Sequence, residues 1–241
     1  MLHLFKVMRW FNFNGFKFIL LLLLCNTVAK AQMGYQQFSI GVGYGTTIAS
    51  AGEETKTASN ATSISFNYHV TPFTAVSLEG QIGNLTSGDY VHDSYQKQFI
   101  SNITMVALHA DVQLGEFIDY SQSPFLNGIK NVYAGVGAGL LYSNITGIYF
   151  TTSTNYIIHS TNLIIPFRTG YEFKIFNKYD EPKFRVDVNY SLNAAFGSGL
   201  DGYDDPFSTA VSKFYHYFSV GVKYSFGPVR QYRKQIYFTP F

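Results

Sequence analysis

Large apolar residues occupy every second position in the C-terminal part of the chain. Between Phe218 and Phe226 they alternate with Ser, Gly and Lys. A period of two is typical of a β-strand whose two faces meet different surroundings. The alternation recurs seven times earlier in the chain, which predicts an all-β protein with eight strands, near 36–49, 63–70, 73–82, 100–114, 131–143, 163–175, 184–196 and 214–226.

The apolar face of these strands is predicted to contact lipid. Several segments run for about 10–14 residues, whereas soluble strands average about 5–6 and a tilted membrane strand needs about 9–11. Charged residues make up 13% of the chain and aromatic residues 18%, against about 25% charged residues in ordinary soluble proteins. The opposite face is mostly Gly, Ser and Asn, which suits a narrow barrel interior better than a solvated surface.

The predicted connections alternate in length. Long polar stretches lie near 46–62, 83–99, 144–161 and 197–212, and short ones near 71–74 and 176–183. The stretch 115–130 is a longer exception with room for a short helix. This alternation is typical of bacterial outer-membrane barrels. We therefore predict an eight-stranded antiparallel transmembrane β-barrel over 32–226, with both termini on the periplasmic side.

The first 31 residues are predicted to be a secretory signal peptide. Lys6, Arg9 and Lys17 precede the apolar run 18–25, and Ala29-Lys30-Ala31 offers a small-x-small cleavage site. Cleavage there removes four of the 17 basic residues and none of the 15 acidic ones, so the mature chain carries a formal charge near −2. Neither this charge nor any motif predicts a nucleic-acid partner. Cleavage also removes the single Cys of the chain.

These features together resemble the small outer-membrane barrel family that includes the OmpA transmembrane domain and OmpX. The resemblance covers most of the mature chain. It implies the cell outer membrane of a Gram-negative bacterium, with outer-membrane lipid and lipopolysaccharide around the barrel. It also implies that Tyr224 and Phe226 form an assembly signal read by the barrel assembly machinery. Members commonly end at such an aromatic residue, whereas here a predicted periplasmic tail, 227–241, follows.

Nine ionisable residues fall on the inward face of the predicted strands. We interpret them as a structural network of ion pairs that plugs the interior, because buried charges must be paired and an eight-stranded barrel is just filled by side chains. An ion path or gate is the alternative. The predicted network comprises Glu79, His109, Asp111, Arg168, Glu172, Lys174, Arg185, Asp187 and Lys223.

The sequence predicts no enzyme activity, cofactor or metal site. Some barrels of this size modify lipids with a Ser and a His near the outer rim, and His159-Ser160 lies at such a rim. Adjacent strand residues point to opposite faces, so this pair makes a poor catalytic dyad. The loop group His92-Asp93-Ser94 has no second metal ligand at a helpful spacing.

The function predicted first is a structural or surface-interaction role, in which long outer loops contact a partner. One alternative is a small pore for ions or solutes. Another is a subunit of a larger outer-membrane complex, docked through the tail or through the 115–130 connection. A surface or outer-membrane protein partner is therefore expected, but the fold alone does not determine which.

Overall fold

The computed structural model describes residues 32–50, 55–89, 97–121, 123–149, 154–196, 200 and 213–234. The predicted signal peptide, 1–31, lies outside these ranges and stays a prediction. Within them, no helix combines the length and the apolar character that a membrane span needs.

Eight strands form one closed ring in which each strand pairs with its sequence neighbours and β8 pairs with β1, all antiparallel. The predicted all-β barrel with eight strands is therefore confirmed. Closure leaves no strand edge unpaired, as a membrane-spanning sheet requires. The strands are β1 (Gln32–Ser50), β2 (Lys56–His69), β3 (Thr74–Ser87), β4 (Lys97–Gln113), β5 (Val132–Tyr149), β6 (Thr154–Phe176), β7 (Pro182–Phe196) and β8 (Lys213–Arg233).

The chain enters and leaves the barrel at the same end, which we call the terminal end; the opposite end is the loop end. Next to the terminal end, a broad band of the outer surface is apolar and exposed, including Leu78 (51%), Val106 (53%) and Phe167 (51%). On β8 this band runs from Phe218 to Phe226. Nine tilted residues rise about 20–25 Å, close to the apolar height of about 25 Å typical of outer-membrane barrels. This band is the membrane-spanning surface.

Nearer the loop end, the two faces of the barrel wall exchange character. On β4 the outward residues become Thr104 and Asn102, both exposed, while their inward neighbours Met105 and Ile103 are buried. The same exchange occurs on β5, where Leu141 and Ile145 point inward and are fully buried. A polar outside around an apolar inside is the pattern of a barrel in water. The wall therefore continues beyond the apolar band as a water-exposed extension.

The strands are longer than predicted, because the pattern used to predict them stops where the two faces exchange character. The predicted connection near 83–99 contracts to residues 88–96, and that near 144–161 contracts to 150–153. On β5 the apolar residues move from even-numbered to odd-numbered positions after Tyr142. A prediction that expects apolar residues at the same alternate positions throughout therefore ends the strand at that point, although the backbone pairing continues. The longest connection at the loop end is 197–212, between β7 and β8.

The last strand also ends later than predicted. β8 continues past Phe226 to Arg233 and pairs with Gln32–Gln36 of β1. A bulge between Gln36 and Phe38 interrupts this pairing, and Gly227 opposite it has a φ of 90°, a conformation that side chains disfavour. The alternation is broken there, which is why the sequence indicated a tail. Residues 227–233 are strand, and 235–241 lie outside the described residues.

The longer connection at the terminal end folds into a cap. It contains a 3₁₀ turn, Leu114–Glu116, and the short helix α1, Pro124–Ile129, in the stretch that has room for a short helix by its length. Ser123 caps α1 by accepting a hydrogen bond from the Leu126 amide, and Pro124 occupies the first turn, where no amide donor is needed. The cap is held to the end of β8, since Tyr232 donates to Glu116 and Lys234 donates to the Gly115 carbonyl.

The edge of the membrane band can be located by cysteine labelling, because residues 32–241 contain no Cys. We expect Val106→Cys to resist a water-soluble maleimide in phospholipid vesicles and Asn102→Cys to react readily. The two positions lie on the same face of β4, so they differ in height alone. Equal labelling of both would contradict the boundary. Labelling of both in denaturant provides the control.

Candidate functional site

The interior of the barrel is the candidate site, and its loop end is filled by apolar side chains. Leu141, Ile145 and Ile164 are fully buried there, and Tyr215 crosses the same layer with its hydroxyl directed at Gln81 and Met105. The sequence did not predict this layer, since its residues lie on the face read as polar. Its members are Ala49, Ala61, Leu85, Phe99, Ile103, Met105, Ala107, Leu141, Ile145, Ile164, Ala195, Leu200, Tyr215 and Tyr217.

Beneath the apolar layer, Arg168 lies at the centre of a first charged group. Its guanidinium donates to Glu79 Oε2 at 2.5 Å and contacts the His109 ring, and its Nε lies 3.9 Å from Asp111 Oδ1. His109 bridges the two acids, with Nε2 3.3 Å from Glu79 and Nδ1 3.2 Å from Asp111. All four side chains are buried. The arrangement matches each acid to a nearby cation or ring nitrogen.

A second charged group centres on Glu172. Its Oε1 lies 3.5 Å from Arg185 Nη1, and its Oε2 lies 3.2 Å from Lys223 Nζ. Lys223 also lies 3.2 Å from Asp187, and Lys174 reaches the group through Gln113. All nine residues of the predicted network are thus inside the barrel, in two adjoining groups. With His109 counted as neutral, the four basic and four acidic residues of the network cancel in formal charge.

The strand register arranges the second charged group in two rows of like charge. Lys174, Arg185 and Lys223 are direct neighbours on β6, β7 and β8, and so are Glu172 and Asp187 one step along. Like charges directly opposite each other are destabilising. The observed ion pairs run diagonally from one row to the other, so Arg185 and Lys223 are each offset by an acid of the next row, while Lys174 is linked to Glu172 through Gln113.

Glycines make room for this packing on β5. A Cβ built on Gly135 would lie 2.0 Å from Asp111 Oδ1, and one built on Gly137 would lie 2.6 Å from the His109 Cβ. The side chains of β4 therefore lie across the bare backbone of β5. The regular glycines of this strand create space in the interior, as their alternation predicted.

Phe73 closes the terminal end of the interior. It is 1% exposed and lies under the ring of Tyr120 from the cap, with ring centres 5.5 Å apart. Lys174 Nζ lies 4.4 Å from the Phe73 ring centre and donates to the Pro72 carbonyl. In the cap itself, burial lowers the pKa of Lys130, whose Nζ donates to Asn127. The interior is therefore closed at both ends.

A small polar cavity remains between the two charged groups. Its volume is about 30 Å³, and Glu79, Arg168, Asp187 and Lys223 are among its lining residues. A cavity needs about 10–15 Å³ of such space to hold one water molecule, so this one has room for one or two. Among the described residues, the two charged groups and this cavity occupy the middle of the interior.

The remaining predicted residues lie outside this interior. His159 is exposed on the outer surface and stacks on Tyr142, whereas the neighbouring Ser160 is buried. Their opposite orientation prevents them from forming a dyad. Within the described ranges, no group of three or more His, Cys, Asp or Glu could hold a metal ion. His92-Asp93-Ser94 lies outside those ranges.

Tyr224 and Phe226 lie on the outer surface near the terminal end of the membrane band. Tyr224 packs on Phe184, with ring centres 5.3 Å apart, and Phe226 packs on Phe38 at 6.1 Å. Their role as an assembly signal stays a proposal. The geometry adds that both residues lie inside β8 rather than at its end.

Besides the apolar layer, three residues in contact with the charged groups were absent from the predicted network. His69 contacts Arg185 and Ser39, and its inward position was readable from the alternation of β2. Gln113 bridges Lys174 and Glu172 and was equally readable as inward. Phe73 lies in a turn, where alternation carries no information, so no sequence signal indicated it.

Removing Arg168 should destabilise the barrel strongly. We expect Arg168→Met to lower the free energy of unfolding by about 3–5 kcal/mol, because it leaves Glu79 and Asp111 buried without their cation. The triple variant that adds Glu79→Gln and Asp111→Asn should recover most of the loss. Urea titration in detergent micelles, followed by the gel shift of heat-modifiable barrels, measures both.

The exposed Lys178, in the turn between β6 and β7, provides the control for this series. Lys178→Met removes the same type of charge from a solvated position and should leave the unfolding free energy nearly unchanged. An equal effect of Arg168→Met and Lys178→Met would contradict the role assigned to the network.

No protein-family model and no curated protein matches the chain. It is similar to the solved structure of Neisserial surface protein A (14% identity, 82% of this chain and 100% of that chain, TM-score 0.44). It is also similar to Ail of Yersinia pestis (12%, 82% and 100%, 0.45) and to the N-terminal β-barrel domain of Pseudomonas aeruginosa OprF (16%, 78% and 98%, 0.39). At these identities the likeness concerns the fold alone, and the architecture rests on this chain's own ring of strands. The chain is an eight-stranded transmembrane barrel that resembles the small outer-membrane barrels of the OmpA and OmpX kind, as its sequence predicts.

Proposed function

We propose that this chain is a non-conducting barrel of the bacterial outer membrane with a structural or surface-interaction role. The closed interior is the observation that carries the proposal. An apolar layer, two groups of paired charges and Phe73 follow one another along the axis, and the cavity among them is water-sized. A channel needs a continuous polar path, so these layers oppose the alternative of a small pore.

The location and orientation belong to the same proposal. An even number of strands places both termini on one side, which is the periplasm in bacterial barrels. The terminal end then lies in the periplasm and the loop end faces outward. The water-exposed extension of the wall supports this orientation, since it raises the loop-end connections clear of the membrane band.

Planar-bilayer recordings test the closed interior. We expect the wild-type barrel to give no conductance steps, and the variant Met105→Ala/Leu141→Ala/Tyr215→Ala to give small ones, because the truncations remove three large side chains from the apolar layer. Steps from the wild-type protein that disappear in Arg168→Met would overturn the proposal in favour of a pore. Correct folding of each sample is established first by its gel shift.

A role as a subunit of a larger outer-membrane complex is the second candidate, and the cap favours it. Phe117 is 56% exposed and Phe125 is 72% exposed, both on the outside of the cap at the terminal end. Large apolar side chains exposed on one short connection are candidates for a contact surface. The partner would be an apolar segment of another protein at the periplasmic side.

Native mass measurement of the barrel purified from outer membranes tests this candidate. A stoichiometric companion that is lost in Phe117→Ser/Phe125→Ser would establish the contact. The matched control is Tyr179→Ser, which changes an equally exposed aromatic residue (67%) in a different turn at the same end. A wild-type mass equal to that of the lone barrel would refute the subunit role.

A further inference from the structure

A repeated tripeptide on the outer surface forms a continuous strip. The sequence Asn-x-Thr occurs at 60–62, 84–86, 102–104 and 144–146, once on each of β2, β3, β4 and β5. In every copy the middle residue points into the interior and is at most 2% exposed; these residues are Ala61, Leu85, Ile103 and Ile145. The Asn and Thr of each copy therefore point outward. We call these eight residues the Asn–Thr strip.

The strand register brings the four asparagines to one level. Asn84 pairs with Asn102, and Asn102 pairs with Asn144. Asn60 lies one residue beyond the pair Ala61–Gly83, where the register of β2 and β3 shifts, so it lies near Asn84 without pairing with it. Neighbouring strands are about 4.8 Å apart, so three amides form an evenly spaced row across β3, β4 and β5, with Asn60 close to its β2 end. The row continues on β6 with His159, the partner of Asn144.

Strand propensity does not account for this row. Asn is depleted in β-strands, whereas Thr is favoured in them. Four asparagines at one level of a sheet are therefore unfavourable for the local backbone. They also form no cross-strand ladder, since none of the four amide side chains has a hydrogen-bond partner within the described part of the chain. The amides are left available to a ligand outside the wall.

The chemistry and position of the strip define that ligand. The strip is uncharged, which does not suit a phosphate or an anionic polymer. Amides and hydroxyls both donate and accept hydrogen bonds, as sugar hydroxyls do. The strip begins directly above the apolar band, one step beyond Ile82 and Val106. A ligand at this height belongs to the polar layer directly above the acyl chains of the membrane.

We propose that the Asn–Thr strip binds the neutral sugars of a glycolipid in the outer leaflet of the membrane. This inference rests on the proposed outer-membrane location. Tyr142 stacks on His159 with ring centres 6.3 Å apart and an interplanar angle of 13°, and this pair offers an aromatic face at the β6 end of the row. In the other direction the register runs from Asn60 to Thr46 on β1, Phe218 on β8 and Tyr190 on β7, which carry no side-chain amide. The glycolipid is therefore bound along one side of the barrel.

Side-chain amide resonances test the strip directly. The full mature protein is placed in phosphatidylethanolamine nanodiscs and titrated with dephosphorylated core oligosaccharide from lipopolysaccharide, while ¹⁵N spectra follow the Asn NH₂ groups. We expect shifts in the amides of Asn60, Asn84, Asn102 and Asn144. The variant Asn84→Thr/Asn102→Thr/Asn144→Thr should bind at least about tenfold more weakly, because each change replaces an amide that both donates twice and accepts by a shorter hydroxyl with a single donor, which loses hydrogen bonds to the sugar. Gln231→Thr removes an exposed amide far from the strip and should bind as wild type.

Further measurements separate the competing outcomes. Binding that is unchanged in the triple variant would overturn the inference. So would equal amide shifts with phosphatidylglycerol, which carries a phosphate and acyl chains but no sugar, or shifts that depend on protein concentration and indicate a second copy on the strip. If the triple variant fails to fold, the single variant Asn102→Thr replaces it. Fractionation of cell membranes is a separate control: absence from the outer membrane would refute the proposed function, whereas presence there without sugar binding would refute the strip alone.

Discussion

The ring of backbone hydrogen bonds is the constraint on which the rest of this structure depends. Lipid offers no partner to a backbone amide or carbonyl, so a sheet can span a membrane only when its first and last strands pair. Here β1 and β8 pair along most of their length. Once the ring is closed with eight strands, its narrow interior is fixed, and every inward side chain must fit within it.

The interior satisfies that requirement in two different ways along its axis. Within the membrane band, inward polar residues are matched in charge and their ion pairs run diagonally between rows. In the water-exposed extension, the interior is an apolar core like that of a soluble protein. The change follows the surroundings of the outer face, because a wall in water gains stability by burying apolar side chains inside.

The sequence predicted the number, direction and outward face of the strands because lipid contact demands apolar residues at every second position. It placed Glu79, Arg168, Glu172 and the other ionisable residues inward for the same reason. It did not predict where the strands end towards the loops, since beyond residues such as Tyr142 the apolar residues move to the inward-facing positions. Phe73 could not be placed from the sequence, because its burial depends on Tyr120, distant along the chain and brought close by the cap.

The pairing of β1 and β8 beyond the membrane band has a mechanical consequence. Both strands point their free ends towards the terminal end, so tension applied to the two termini loads one backbone hydrogen bond at a time, as in a zipper. The contacts of Tyr232 and Lys234 with the cap anchor one of those ends to the connection between β4 and β5. A pulling force on the C-terminus is thereby shared with the far side of the ring before it can peel the two strands apart.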